Sequence, residues 1–228
     1  MRDRLWMTRS LPNAHKSAAN FERLGLACTV SPLLTIVPTV NMPPPPDKES
    51  ALVFTSANGL NWFCEFTKLR HWPVVTVGDE TAAQARGKGF KNVSSASGTS
   101  EDVTELIKSK FPVSRPIIHC SGKHIRGTIT KDLQAAGFTA RRDIYYESNP
   151  VLNFPKLDVS KLSYVALYSP LAAQTLQQFA PELSTVTILS ISAATDAALG
   201  SIKCQTRLIA SEPNETAMLA LLGPSHTV

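Results

Sequence analysis

The strongest constraint on this chain is that it writes one pattern twice. Residues 164–179, YVALYSPLAAQTLQQF, run from an apolar strand through a Ser-Pro turn into an amphipathic helix, and residues 51–66, ALVFTSANGLNWFCEF, repeat that order with Thr55 and Ser56 at the turn. Ser169 follows Ser56 by 113 residues, Thr195 follows Thr81 by 114, Glu215 follows Glu101 by 114, and Gly137 follows Gly25 by 112. A nearly constant long-range offset is the mark of an internal duplication, so two similar halves are expected.

Strand and helix signals alternate along the whole length. RLWM at the start reads as a strand ending at Thr8 and Arg9, and Ala14, Ala18, Phe21 and Leu24 then follow at helical spacing, with Gly25 as the natural stop. Residues 27–38 are β-branched and proline-interrupted, which favours extended chain. NMPPPPD, with four consecutive prolines, can be neither helix interior nor central strand and marks a surface connection. Beyond it, a strand meets Gly78 with Asp79 placed to cap a helix, and Thr99 or Ser100 caps the next. Residues 117–120 form a strand leading to a Ser121-Gly122 turn, then a helix stopping at Gly137 and an extended run over 139–150. Regular alternation predicts an α/β fold of two doubly wound, parallel-sheet, flavodoxin-like domains.

Composition excludes several classes. No run approaches the roughly eighteen apolar residues of a membrane-spanning helix, and the basic N-terminal stretch lacks the apolar core of a secretory signal, so a cytoplasmic protein with no membrane partner is expected. Cys28, Cys64, Cys120 and Cys204 are far apart and form no CxxC pair, which predicts free, buried thiols. His119, Cys120 and His124 do not make a metal set, because adjacent strand residues point to opposite faces. Neither GxxxxGK[ST] nor a GxGxxG after a strand occurs, which argues against a nucleotide enzyme. A net charge of +5 favours an anionic partner, but the basic residues are scattered and lack interleaved aromatics, so nucleic acid is not expected.

In doubly wound sheets ligands bind beyond the carboxyl ends of the strands. The helix starts near Ser56, Thr81, Ser169 and Thr195 each offer free backbone N–H groups and the positive end of a helix dipole. If the halves face each other, these turns line one cleft and suit a ligand bearing several carboxylates or phosphates. The same hydroxyls can act as helix caps alone.

Taken together, Thr8-Arg9, Leu24-Gly25, Pro32, FTSANG at 54–59, VGDETA at 77–82, TSED at 99–102, the Ser121-Gly122 to Arg126 segment, Tyr146-Glu147 and YSP at 168–170 resemble the uroporphyrinogen-III synthase (HemD-like) family over nearly the whole chain. One departure is Ser192, where that family often has Gly. The resemblance implies two α/β domains joined by a two-stranded linker, residues 1–38 with 150–228 in one and 39–149 in the other. It implies a lyase that cyclises hydroxymethylbilane to uroporphyrinogen III with inversion of ring D and loss of water, using no cofactor and no metal. Loss of the hydroxyl leaves an azafulvene cation, which closes through a spiro intermediate, fragments and recloses inverted. Tyr168 matches the strand-end tyrosine of the family and is the expected acid. Arg9, Ser56, Asn58, Thr81, Ser121, Lys123, Arg126, Ser169 and Thr195 are the expected contacts to the substrate carboxylates. A monomer is expected, receiving its substrate from hydroxymethylbilane synthase. The alternative is a non-catalytic two-domain binding or sensor module for an anionic small molecule.

Overall fold

The computed structural model describes residues 3–125, 127–153, 155–179 and 181–223. In chain order the elements are β1 (Arg4–Met7), α1 (Asn13–Glu22), β2 (Ala27–Val30), β3 (Leu34–Pro38), β4 (Ala51–Phe54), α2 (Ala57–Phe66), β5 (Val74–Thr76), α3 (Asp79–Gly87) and β6 (Val93–Ser95). There follow α4 (Ser100–Lys110), β7 (Ile117–Gly122), α5 (Ile129–Ala135), β8 (Ala140–Pro150), β9 (Tyr164–Leu167), α6 (Pro170–Phe179), β10 (Leu183–Ser190), α7 (Ala193–Ala197), β11 (Cys204–Ile209) and α8 (Glu215–Ala220).

The chain divides into two compact units, one of Met1–Ile36 with Asn149–Val228 and one of Val37–Ser148. The boundaries fall inside β3 and at the end of β8, which are neighbouring strands. Val151 N–H bonds to the Leu33 carbonyl at 3.0 Å and Thr39 N–H to that of Tyr145 at 3.1 Å, so these two segments run antiparallel. Elsewhere the paired strands are parallel.

In the first unit the strand order is β11-β10-β9-β1-β2, with the central strands β9 and β1 buried on both faces and the edge strands β2 and β11 only partly covered. Side chains alternate across β1 and β9. Trp6, Val165 and Leu167 join Leu176 of α6 and Leu199 on one face, while Leu5, Met7 and Ala166 join Phe21 of α1 and Met218 of α8 on the other. The second sheet runs β3-β8-β7-β4-β5-β6, the linker strand β3 lying beside the five strands β8-β7-β4-β5-β6 of the second unit. Leu52, Phe54 and Cys120 pack under Leu60 and Phe63 of α2, and Ala51, Val53 and Ile117 pack under Ile107 of α4 and Leu133 of α5. Phe63 is the hub of an aromatic cluster, meeting Phe54, Trp72 and Tyr145 edge-on with centroids 5.5 to 5.7 Å apart. Such contacts add about 0.5–1.5 kcal/mol each beyond the area they bury.

The two orders are one topology cut at different points. Read from β9, the first unit runs β9, β10, β11, β1, β2, and each of these takes the place of β4, β5, β6, β7 and β8 in turn. The two units are therefore circular permutations of each other, although the repeat along the chain is linear and Gly25 pairs with Gly137 at the same offset as the other elements. Both glycines lie in the left-handed region, at φ 89° and 88°, ending α1 and α5.

Three local expectations are corrected. Asp79 does not cap α3; Gly78 holds the cap position, and Asp79 as the first helical residue accepts instead from the Ser97 hydroxyl at 2.7 Å. Ser121 and Gly122 are not a turn but the buried end of β7, since pairing with β8 extends to Gly122. Cys64 and Cys120 are buried free thiols as expected, whereas Cys28 and Cys204 are only partly covered.

Candidate functional site

Parallel strands put all their carboxyl ends at one edge of a sheet, and at that edge each unit has one crevice where the chain winds outward in opposite directions. In the first unit this point lies between β9 and β1, whose following helices α6 and α1 cover opposite faces. In the second it lies between β4 and β7, followed by α2 and α5.

At the first of these points four side chains from four elements form one cluster. Tyr168, just past β9, donates its phenolic hydrogen to Glu215 Oε1 at 3.1 Å. Arg9, just past β1, donates to Glu215 Oε2 at 3.1 Å and to Ser17 Oγ at 2.8 Å, and its guanidinium lies 4.7 Å from the centre of the Tyr168 ring. Ser17, buried on α1, donates its own hydroxyl to Glu215 Oε2 at 3.1 Å. Burial first, and then the Glu215 charge, push the Tyr168 phenol well above the usual tyrosine range, so it stays protonated at any working pH. Next to it Ser169 starts α6, its hydroxyl accepting from Ala172 N–H at 3.2 Å.

At the second point Ser56 caps α2, accepting from Gly59 N–H at 3.2 Å, and its hydroxyl lies 3.4 Å from the Tyr146 hydroxyl. Asn58 is half-buried in the first turn of α2. Beneath this turn His119 of β7 is held between Thr55 Oγ1 at 3.3 Å and Thr130 Oγ1 at 3.4 Å. Burial, with a smaller push from the Arg142 charge, lowers its pKa to about 4, so the ring is neutral. Lys123 leaves the end of β7 into solvent and pairs with Glu147 at 3.0 Å.

Other expected contacts sit differently. Thr81 is partly exposed in the first turn of α3. Its counterpart Thr195 is fully buried, with its hydroxyl 3.1 Å from that of Ser192, the residue that caps α7. Ser121 is buried too, its hydroxyl turned to the Gly122 carbonyl. Arg126 lies outside the described residues. Glu215 and Tyr146 were not expected at the site. Glu215 stood out only as a repeat partner of Glu101, and its carboxylate finds Tyr168 and Arg9 through tertiary contacts that no local pattern encodes. Among the described residues no group of three or more His, Cys, Asp or Glu side chains could hold a metal ion, and no helix is long and apolar enough to cross a membrane.

These features define a class: an α/β protein of two doubly wound units, each with polar side chains and a capped helix start at the crevice where anionic ligands bind such sheets. The family model described as uroporphyrinogen-III synthase HemD matches residues 15–220, and the chain belongs to that family. Its function is accordingly that of a cyclising lyase in haem biosynthesis, converting hydroxymethylbilane to uroporphyrinogen III. Among solved structures, the uroporphyrinogen-III synthetase of Helicobacter pylori matches over 97% of this chain and 98% of its own, with a TM-score of 0.68 at 19% identity. The wild-type uroporphyrinogen III synthase of the extreme thermophile Thermus thermophilus matches over 97% and 96%, at 16% identity and a TM-score of 0.42. At 19% identity the Helicobacter pylori likeness is one of fold. No curated protein matches the sequence.

Proposed function

We propose that ring closure is carried out by the polar groups at the carboxyl edges of the two sheets, with Tyr168 beside the carbon that loses its hydroxyl. The observation that supports this is the position of Tyr168 and Ser169, a protonated phenol next to a capped helix start at the crevice of the first unit. The substrate carries eight carboxylates on a flexible chain, so the protein's main task is to bring its two ends together in the orientation that gives the inverted product. The N–H groups and capping hydroxyls at Ser56, Asn58, Thr81 and Ser169 hold carboxylates without a bulky cation. Lys123 and Arg9 add charge-assisted bonds once the substrate competes with their present partners, Glu147 and Glu215. On substrate binding Tyr168 turns its one hydrogen from Glu215 to the departing hydroxyl, which eases loss of water and formation of the azafulvene cation. Thr195 and Ser121 shape this edge from beneath, through backbone and packing. We place the reaction in the cytoplasm, in a monomer that takes hydroxymethylbilane directly from its synthase, the free thiols being in keeping with a reducing compartment.

The test is incubation with hydroxymethylbilane followed by isomer analysis of the oxidised porphyrin. Type III product is expected, with Tyr168→Phe slowing its formation while the thermal midpoint is kept. Only the spontaneous type I isomer would instead support a binding or sensor module, and an unchanged rate in Tyr168→Phe would reduce that side chain to part of the wall.

A further inference from the structure

Tyr168 is held on two sides, and both holds pass through one carboxylate. A phenol has a single hydrogen to give and a ring that swings about one bond, so its direction is set by whatever accepts that hydrogen and whatever covers the ring. Here Glu215 Oε1 takes the hydrogen at 3.1 Å. The other oxygen, Oε2, receives Arg9 and Ser17, both at 3.1 Å, and so keeps the Arg9 guanidinium stacked on the Tyr168 ring at 4.7 Å. Ser17 is buried and is itself bonded to Arg9 at 2.8 Å, which leaves the carboxylate little freedom to turn. Asn214 closes the arrangement by capping α8, its side chain accepting from Ala217 N–H at 2.9 Å, so Glu215 is fixed at the backbone as well. One carboxylate thus ties together the ends of β1 and β9 and the helices α1 and α8.

Resting on the role given above to Tyr168, we infer that Glu215 is a positioning residue of the ring closure: it holds the Tyr168 phenol in place until the departing hydroxyl takes the hydrogen, and keeps Arg9 over the ring. It touches no reacting atom.

The experiment uses the full chain, with kcat and KM for type III product in wild type, Glu215→Ala, Glu215→Gln, Glu215→Asp, Tyr168→Phe and the Tyr168→Phe/Glu215→Ala pair. Removing the carboxylate in Glu215→Ala unties Arg9 from the ring and lets the phenol swing, and should lower kcat about tenfold, the scale of one lost charge-assisted hydrogen bond, without raising KM. Glu215→Gln keeps one oxygen for the phenol but turns an amide NH2 toward Arg9 and Ser17, and should recover only part of kcat. Glu215→Asp keeps the charge but withdraws it by one methylene, and should lose kcat as the alanine variant does; this separates aim from charge if Glu215→Ala proves unstable. Because Glu215 acts through Tyr168, the double variant should be no slower than Tyr168→Phe alone. Wild-type kcat in Glu215→Ala, or losses that add in the double variant, would overturn the inference while leaving Tyr168 its role. Wild-type rate in Tyr168→Phe would remove both.

Discussion

A Cβ placed on Gly59 would stand 2.6 Å from the carbonyl oxygen of Cys120. The first turn of α2 thus lies directly on β7, and that close approach is what sets Ser56 beside the end of the neighbouring strand. Two effects of opposite sign compete in Gly59→Ala. Alanine in a helix interior normally gains about 0.5–1 kcal/mol over glycine, but overpacking against rigid backbone costs about 1–3 kcal/mol. The clash wins, because the atom in the way is a main-chain carbonyl and not the end of a flexible side chain. We expect a net loss of about 1–2 kcal/mol, measured as a lower urea midpoint, and slower turnover because Ser56 moves with the helix. A stabilised variant would mean that α2 does not rest on β7 this closely.

Gly25 and Gly137 test the duplication. Each ends its helix at positive φ, 89° and 88°, with its N–H bonded to Glu22 and Gln134 carbonyls at 2.9 and 3.0 Å. An alanine there must adopt a left-handed conformation, at about 1–2 kcal/mol. Gly25→Ala and Gly137→Ala should each cost that amount. Lying in separate units, they should add in the double variant. Urea denaturation monitored by circular dichroism checks both the sizes and the sum, and a neutral Gly25→Ala would break the equivalence of the two helix ends.

His119 should make the protein sensitive to mild acid. Its pKa is about 4 in the folded chain against an ordinary 6.5, because the ring is buried and Arg142 adds a repelling charge. The folded value is the lower one, so the unfolded chain binds the extra proton first. The neutral ring costs nothing above pH 6.5, and stability falls as the pH drops from 6.5 toward 4. At pH 5 the loss assigned to this residue is about 2 kcal/mol. Comparing wild type with His119→Gln between about pH 7.5 and 5 isolates it, since the variant should lack that part of the slope. Parallel losses in the two proteins would show that His119 is not the source.

How far such sites can be read in a sequence depends on whether their geometry is local. The caps Ser56 and Ser169 and the stops Gly25 and Gly137 were legible because each acts within one turn of its own helix. Doubly wound sheets were legible for a related reason: period-two and period-three-or-four patterns alternate without a break. The permutation of the two units was not legible in the constant offsets, which describe a linear repeat, and comes only from the strand order. Two features were out of reach. Thr195 occupies the same helical position as Thr81, yet packing removes it from solvent. Glu215 meets Tyr168 across 47 positions and Arg9 across 206, distances over which no spacing rule holds.

Ser169 allows helix capping to be separated from substrate binding, which an alanine substitution would confuse. Its hydroxyl accepts from Ala172 N–H at 3.2 Å, and losing it costs about 1 kcal/mol whatever else the residue does. Aspartate caps as well as serine and its charge suits a helix start, so Ser169→Asp should leave stability within about 0.5 kcal/mol of wild type. A polycarboxylate approaching the same turn now meets a like charge. Repulsion of about 1.4 kcal/mol, modest for charges a few ångströms apart near a surface, raises KM roughly tenfold. We therefore expect an unchanged thermal midpoint and a higher KM for hydroxymethylbilane, with the increase shrinking as salt is added. If KM in Ser169→Asp equals that of wild type at low salt, the turn is a cap and the carboxylates are held elsewhere.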